Sequence, residues 1–237
     1  MGVCRRCGKR GLLLITNQNG LCPGCAQKES ERKAEVQRML EESRKRIEQG
    51  DLEIQTLNEA RAKYDAGGDI NECINVFQDI LSRDTEWNKF GFWLSLIALY
   101  ERAGDYDKAW ESIERTAFYS VTAGFPLETM LYHVQKLDYE RYKISKHEKR
   151  YYDALRSLVG YYALKSGMES GRPFDYKAFW KEGRTMFKKM KLTDEQIDDL
   201  TQRVCKIEPS PNVASEAGAL VPEWMKDHKL GMFSDSK

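Results

Sequence analysis

The sequence predicts a mainly α-helical protein with a small cysteine-rich module at its N-terminus. Three observations lead to this fold class. Four of the six cysteines lie in two C-x2-C pairs within the first 25 residues. The segment that follows is rich in charge and has neither proline nor glycine, as is typical of an exposed helix. Two segments in the middle of the chain then match at a spacing of 36 residues, which indicates repeated helical units.

The composition excludes several classes of protein. The 237 residues include 38 Lys and Arg and 37 Asp and Glu, so a net charge of +1 gives no global field toward a polyanion or a membrane. No stretch approaches the roughly 18–20 apolar residues of a membrane span, and the start lacks a signal-peptide core. Six cysteines are too few for a disulfide scaffold. We therefore expect a soluble, cytoplasmic protein in a reducing compartment, with no membrane among its partners.

The two cysteine pairs predict one metal site in residues 1–26, here called the cysteine module. Two residues between cysteines form a tight turn that directs both thiolates at one ion, and two such turns complete a closed tetrahedral cage. The apolar run 12–15, followed by turn residues 16–20, favours a short hairpin between the pairs. The predicted ligands of a single structural Zn²⁺ are Cys4, Cys7, Cys22 and Cys25.

The pattern CRRCGKRG…GLCPGC resembles a zinc ribbon over about the first 26 residues. This resemblance implies that the metal drives local folding, because so small a module has no core of its own. Four reduced thiols in a floppy N-terminus, or a redox pair, are the alternatives. A redox C-x2-C site usually begins a helix in a βαβ unit, which this sequence does not predict. Catalytic zinc usually has His or carboxylate ligands and an open position, so catalysis by this metal is not expected.

Residues 27–50 predict a connecting helix with a solvated surface. Opposite charges recur three or four residues apart, and Val36, Leu40 and Ile47 form a thin apolar edge. Residues 27–49 could pair two copies into a homodimer; otherwise the helix packs on the body or spaces the cysteine module from it. Gly50-Asp51 predicts the end of this helix and the N-cap of the next.

Residues 51–206 predict a body of about four helix pairs. Both matching segments have the pattern helix, Gly-Asp turn, helix, and the small residues Cys73 and Ala109 are expected where two helices cross closely. Weaker patterns predict a third pair over 126–165 and a fourth over 175–206, in which Thr193 and Gln196 form a capping box. The first segment aligns Leu57, Ala60, Tyr64, Gly68, Asp69, Ile70, Cys73 and Phe77 with Trp93, Leu96, Tyr100, Gly104, Asp105, Tyr106, Ala109 and Ile113 of the second.

The second segment, WLSLIALYERAGDYDKAWESI, resembles a tetratricopeptide repeat. Trp93, Leu96, Tyr100 and Ala109 occupy that family's signature positions, although the period is 36 and the closing proline is absent. The resemblance implies a tetratricopeptide-like α-solenoid. Residues 207–237 predict an irregular tail, because prolines at 209, 211 and 222 argue against a long regular element. A short helix beginning at Pro222 would dock through Trp224.

Sequence motifs of catalysis are absent. His147 begins the sequence H-E-x-x-Y, which lacks the second histidine of a metalloprotease helix. Neither a glycine-rich phosphate loop nor a G-x-S-x-G nucleophile elbow occurs. We therefore do not expect an enzyme.

Two groups of side chains are candidates for partner binding. The cysteine module has four cations and no carboxylate, and residues 132–165 contain seven tyrosines among eight cations. Tyrosines of helical repeats often only fill helix–helix interfaces. The leading hypothesis is a non-enzymatic adaptor that binds a protein partner along a groove of the repeats. The alternative is a nucleic-acid-binding protein. The candidate contacts are Arg5, Arg6, Lys9, Arg10, Tyr142, Lys143, Arg150, Tyr151 and Arg156.

Overall fold

A computed structural model of the protein describes residues 2–11, 15–83, 88–168, 174–208, 210 and 212–230. These parts are mainly helical, as predicted. The strands β1 (Gly2–Val3) and β2 (Arg10–Gly11) pair antiparallel, with Gly2 opposite Gly11. The predicted hairpin run 12–15 lies mostly outside the described residues. The helices are α1 (Pro23–Asp65), α2 (Ile70–Ser82), α3 (Phe90–Ala103), α4 (Tyr106–Thr122), α5 (Leu127–His147), α6 (Tyr151–Met168), α7 (Tyr176–Lys189), α8 (Asp194–Val204) and α9 (Val213–Asp227).

The described chain forms two compact units. The first contains the described residues up to Glu59 together with Arg83, and the second contains Ala60–Ser82 and the described residues from Asn88 onward. Helix α1 contributes residues to both units. None of the helices in the described ranges is both long and apolar enough to cross a lipid bilayer.

Helix α1 continues through Gly50, so the helix end predicted at Gly50-Asp51 is wrong. A glycine weakens a helix by only about 1 kcal/mol, and the good helix formers Gln49 and Leu52 lie close to it on either side. Gly50 is buried, as is Glu53, which forms an ion pair with Arg83 at 3.6 Å. The predicted apolar edge lies on the exposed part of α1: Val36, Leu40 and Ile47 are 47, 64 and 64% exposed. The pairing of two copies through this edge stays a prediction.

Each of the first two helix pairs turns through a glycine with a left-handed backbone. Gly104 (φ +75°) donates to the carbonyl of Glu101, and the next residue donates to the carbonyl of Tyr100. Gly67 (φ +96°) and Gly68 form the same two bonds with Tyr64 and Lys63. This is the Schellman arrangement that ends many helices. The sequence alignment pairs Gly68 with Gly104, whereas the structure pairs Gly67 with Gly104, because one extra residue precedes Asp69.

The same turn recurs later with lysine in place of glycine. Lys149 (φ +62°) follows α5 and Lys191 (φ +57°) follows α7. In each turn the residue after the lysine donates its backbone N–H to the carbonyl five residues earlier, as in the turns at Gly67 and Gly104. Helices α5 to α8 lie where the third and fourth helix pairs are predicted. The capping box of Thr193 and Gln196 is confirmed at the start of α8.

Helices adjacent in the chain pack against each other from α2 to α7, and α3 also contacts α5. Cys73 and Ala109 are both buried, as predicted for close helix crossings. The core of the C-terminal half joins residues of α5, α6, α7, α8 and α9.

The prediction of an irregular tail is wrong for residues 213–227, which form α9. This helix packs against α6 and α8. Its apolar side chains at positions 213, 217, 221 and 224 lie on one face and are buried, which outweighs the cost of Pro222 inside the helix. Trp224 is fully buried, so its predicted docking on the body is confirmed.

Candidate metal centre

The first cysteine pair lies on a tight turn after β1. The backbone N–H of Cys4 donates to the carbonyl of Lys9 at 3.0 Å, and that of Gly8 donates to the carbonyl of Cys4 at 2.9 Å. Gly8 has φ +69°, a left-handed conformation that side chains disfavour. The turn thereby places both thiols of the pair on one side of the backbone.

The second pair follows a turn organised by Asn17. The side-chain oxygen of Asn17 accepts from the backbone N–H groups of Asn19 and Leu21 at 3.1 and 2.9 Å. Cys22 comes next, and its N–H donates to the sulfur of Cys4 at 3.4 Å. Helix α1 starts at Pro23, so Cys25 stands on the first helical turn and its N–H donates to the carbonyl of Cys22.

The four predicted ligands come together in space. The Sγ atoms of Cys4, Cys7, Cys22 and Cys25 all lie within 4.8 Å of one another, and none of these cysteines forms a disulfide. The Cys7 and Cys22 sulfurs are 3.9 Å apart. Four sulfurs at about 2.3 Å from a tetrahedral Zn²⁺ would be separated by about 3.8 Å. The donor set and its spacing therefore fit a single metal ion held by thiolates.

The thiols of this cluster differ in acidity. Hydrogen bonds, led by the one from the Cys22 N–H, lower the pKa of Cys4 to about 6. The pKa of Cys25 moves in the opposite direction. A hydrogen bond with the Cys22 thiol and the burial of Cys25 itself raise this pKa to about 12. Four adjacent thiols cannot all ionise without a cation to offset the repulsion. A bound divalent metal would supply that charge and hold all four as thiolates.

The four cations of the cysteine module, Arg5, Arg6, Lys9 and Arg10, are exposed. The aliphatic part of the Arg5 side chain lies against Gly20. A Cβ added to Gly20 would stand 2.9 Å from the Cδ of Arg5. Arg5 and Arg6 line a cleft of this unit, and the structure places Arg32 and Lys33 of α1 in the lining of that cleft as well. Sequence reasoning did not assign these two helix residues, because an i,i+1 pair of cations in a charged helix gives no signal of its own.

The expectation that Tyr142 contacts a partner is wrong. Its ring is fully buried in the core, and its hydroxyl donates to the carbonyl of Glu182 at 2.8 Å and accepts from Lys146 at 2.8 Å. Lys143 lies at the boundary of α3 and α5, where it pairs with Glu101 at 3.0 Å and with Glu140. These side chains tie neighbouring helices together.

The remaining candidates also make contacts within the body. Arg150 pairs with Glu148 at 2.6 Å and with Asp153 at 3.3 Å, and its guanidinium lies 4.8 Å from the ring centre of Trp110. Tyr151 is half-buried against the core. Arg156 is exposed and lies over its helix neighbour Tyr152. The structure therefore brings the four predicted metal ligands together, whereas the candidates in residues 142–156 make contacts with neighbouring residues of the body.

No protein-family model, curated protein or solved structure matches this chain. Its function is inferred from its own geometry.

Proposed function

We propose that the protein is a non-enzymatic adaptor in which one structural Zn²⁺ organises a zinc-ribbon-like cysteine module and a helical-repeat body binds a protein partner. The observation that favours a structural metal most strongly is the closed set of four thiols within 4.8 Å. Such a set fills the tetrahedral shell and leaves no position for a substrate or a reactive water.

The repeat character of the body is supported by its turns. The same hydrogen-bonded turn follows α1, α3, α5 and α7, and each leads within a few residues into the next helix. Helices adjacent in the chain pack together from α2 to α7. This order favours tetratricopeptide-like pairs, which stack into extended surfaces for recognition.

An exposed apolar pair on α4 is the best candidate contact of the body. Phe118 and Val121 are 73 and 64% exposed. They lie three residues apart and therefore share one helix face. Exposed apolar side chains that cluster on a surface are typical of interaction sites. This pair replaces the buried Tyr142 as the contact that we infer.

Affinity capture with the full-length, metal-loaded chain tests the adaptor function. Tagged protein is incubated with untreated and nuclease-treated extracts of the cells that produce it. Bound proteins are identified by mass spectrometry, and bound nucleic acid is measured in the untreated sample. The variant Phe118→Ser with Val121→Ser should lose the captured protein. A matched control, Glu111→Ser with Arg115→Ser, removes an exposed ion pair from the same helix and leaves the net charge unchanged. It should retain capture. Recovery of nucleic acid without any protein would contradict the proposal.

Nucleic-acid binding is the second candidate, favoured by the exposure of Arg5, Arg6, Lys9 and Arg10. Neutralisation of phosphates makes affinity fall steeply with the logarithm of salt concentration. A panel of oligonucleotides at low salt therefore tests this candidate. Absence of binding to the whole panel would exclude it.

A further inference from the structure

The cysteine module and the start of α1 border an open cleft of about 860 Å³. This volume falls within the range of ligand pockets, about 300–1,000 Å³. Four cations line it, Arg5 and Arg6 of the cysteine module and Arg32 and Lys33 of α1, together with one carboxylate, Glu29. The metal ligands themselves are not among its lining residues, so the cleft is a separate feature of this unit.

The cleft is strongly basic. Among the residues that the structure describes, no carboxylate forms an ion pair with Arg5, Arg6 or Arg32, whereas Lys33 pairs with Glu29 at 3.2 Å. Residues 2–37 contain seven Lys and Arg against three Glu. Four thiolates and one Zn²⁺ would add two negative charges, so this segment keeps a charge of about +2. An anionic ligand therefore matches the cleft.

Apolar lining distinguishes between anionic ligands. Leu21 is 7% exposed and Val36 is 47% exposed, so the cleft offers aliphatic surface beside its cations. The described residues that line it include no aromatic ring. Single-stranded nucleic acids gain much of their affinity by stacking bases on aromatic side chains. Aliphatic surface next to arginines better fits a peptide with both carboxylate and aliphatic side chains.

The backbone and the side-chain stem of Arg5 both contact Gly20. Its backbone N–H donates to the carbonyl of Gly20 at 2.9 Å, and its side-chain stem packs on the same glycine. Gly20 has φ +74°, where a larger residue would be strained and would also displace the arginine. An arginine whose side-chain stem is restricted in this way loses less conformational freedom when it binds an anion.

We propose that this cleft binds an acidic peptide segment, whose carboxylates pair with Arg5, Arg6 and Arg32 and whose aliphatic side chains contact Leu21 and Val36. The proposal rests on the proposed function only in that the ligand belongs to a protein. It places a second contact in the cysteine module, apart from Phe118 and Val121 of the helical body.

Fluorescence anisotropy tests the proposal with the full-length, zinc-loaded chain. The probe is a fluorescein-labelled peptide of Asp, Glu and Leu. Two comparison probes replace its acidic residues by Asn and Gln, or its Leu by Ser. The variant Arg32→Ala with Lys33→Ala removes two cleft cations and the Lys33–Glu29 pair. The matched control, Arg44→Ala with Lys45→Ala, removes two cations and the Arg44–Glu48 pair from the same helix outside the cleft.

We expect the acidic, Leu-containing peptide to bind and both comparison peptides to bind more weakly. The cleft variant should weaken binding by about tenfold because charge-assisted contacts are lost, and the control should not. Equal loss in the control would show attraction by net charge alone and overturn the proposal. So would tighter, Arg32-dependent binding of oligo-dT, which would assign the cleft to nucleic acid. If the wild-type chain binds no acidic peptide but still captures its protein partner, the cleft proposal is refuted and the adaptor function stands.

Discussion

The imidazole of His133 stacks on the ring of Phe90, with centroids 3.5 Å apart and planes inclined by 13°. Phe125 meets the same imidazole edge-on at 5.0 Å, and the hydroxyl of Ser120 lies 3.1 Å from its Nδ1. The side chain is only 2% exposed. Burial lowers the pKa of His133 below its usual value of 6.5.

This environment predicts a loss of stability in mild acid. As the pH falls below about 6.5, the unfolded chain binds a proton that native His133 does not, so the free energy of unfolding decreases. One such proton contributes at most about 1.4 kcal/mol per pH unit. Burial raises the pKa of Asp138 to about 6 and that of Glu140 to about 7, which acts in the opposite direction. The effect of His133 is therefore measured as a difference between proteins.

Urea unfolding at several pH values gives that difference. His133→Phe keeps a ring against Phe90 and cannot be protonated, so its stability should fall less than that of the wild type between pH 7 and pH 5. The control, His147→Phe, replaces an exposed histidine that stacks on Tyr106 at 4.2 Å. It should retain the slope of the wild type. Equal slopes for His133→Phe and the wild type would refute the assignment.

Two buried helical glycines should respond oppositely to alanine. A Cβ on Gly183 would stand 2.2 Å from the ring of Phe187, which is itself buried, whereas a Cβ on Gly218 would meet nothing within 4 Å. Gly183→Ala should therefore destabilise the protein by about 1–3 kcal/mol through overpacking. Gly218→Ala should stabilise it by about 0.5–1 kcal/mol. Denaturant midpoints check both, and a stabilising Gly183→Ala would show that Phe187 can move aside.

Replacing a lysine that has a left-handed backbone with glycine should raise the free energy of unfolding. Lys149 and Lys191 occupy the position held by Gly67 and Gly104 in the earlier turns. Lys191→Gly removes the cost of a side chain at positive φ, partly offset by the greater freedom of the unfolded chain. We expect a gain of about 0.5 kcal/mol in thermal or urea unfolding. Lys181→Gly, at an exposed position in the interior of α7, serves as the control and should lose about 1 kcal/mol.

Trp224 should anchor α9 to the body. The side chain is fully buried in the core of the C-terminal half. Trp224→Ala should lower the free energy of unfolding by about 3–5 kcal/mol. Pro222→Ala, on the exposed side of the same helix, should not destabilise the protein. A small effect of Trp224→Ala would mean that α9 contributes little to the fold.

The cysteine cluster and most helices could be predicted from the sequence because their signals are local. The C-x2-C spacing alone indicates the four ligands that the structure brings within 4.8 Å. The capping box of Thr193 and Gln196 is likewise decided by four consecutive residues. The turn at Gly67 shows the limit of this local reasoning, since the sequence alignment chose the neighbouring glycine.

Features that depend on tertiary contacts could not be predicted. Gly50 looks like a helix end until its burial is known, and Pro222 argues against a helix that the buried face of α9 nevertheless stabilises. Tyr142 belongs to a pattern that fits both a binding surface and a helix interface, and only its burial distinguishes them. The cleft beside Arg32 exists because the chain returns the cysteine module to α1, which no short motif records.

Zinc stoichiometry coupled to folding tests the central claim most directly. Elemental analysis of the purified protein should find one Zn²⁺ per chain, and a chelator should remove it and expose the amides of the cysteine module to hydrogen exchange. Cys22→Ser should lose the metal, while Cys205→Ser, which alters an exposed cysteine outside the cluster, should keep it. Metal-free protein with protected amides in the cysteine module, or a bound zinc with an exchangeable water ligand, would contradict a structural four-thiolate site.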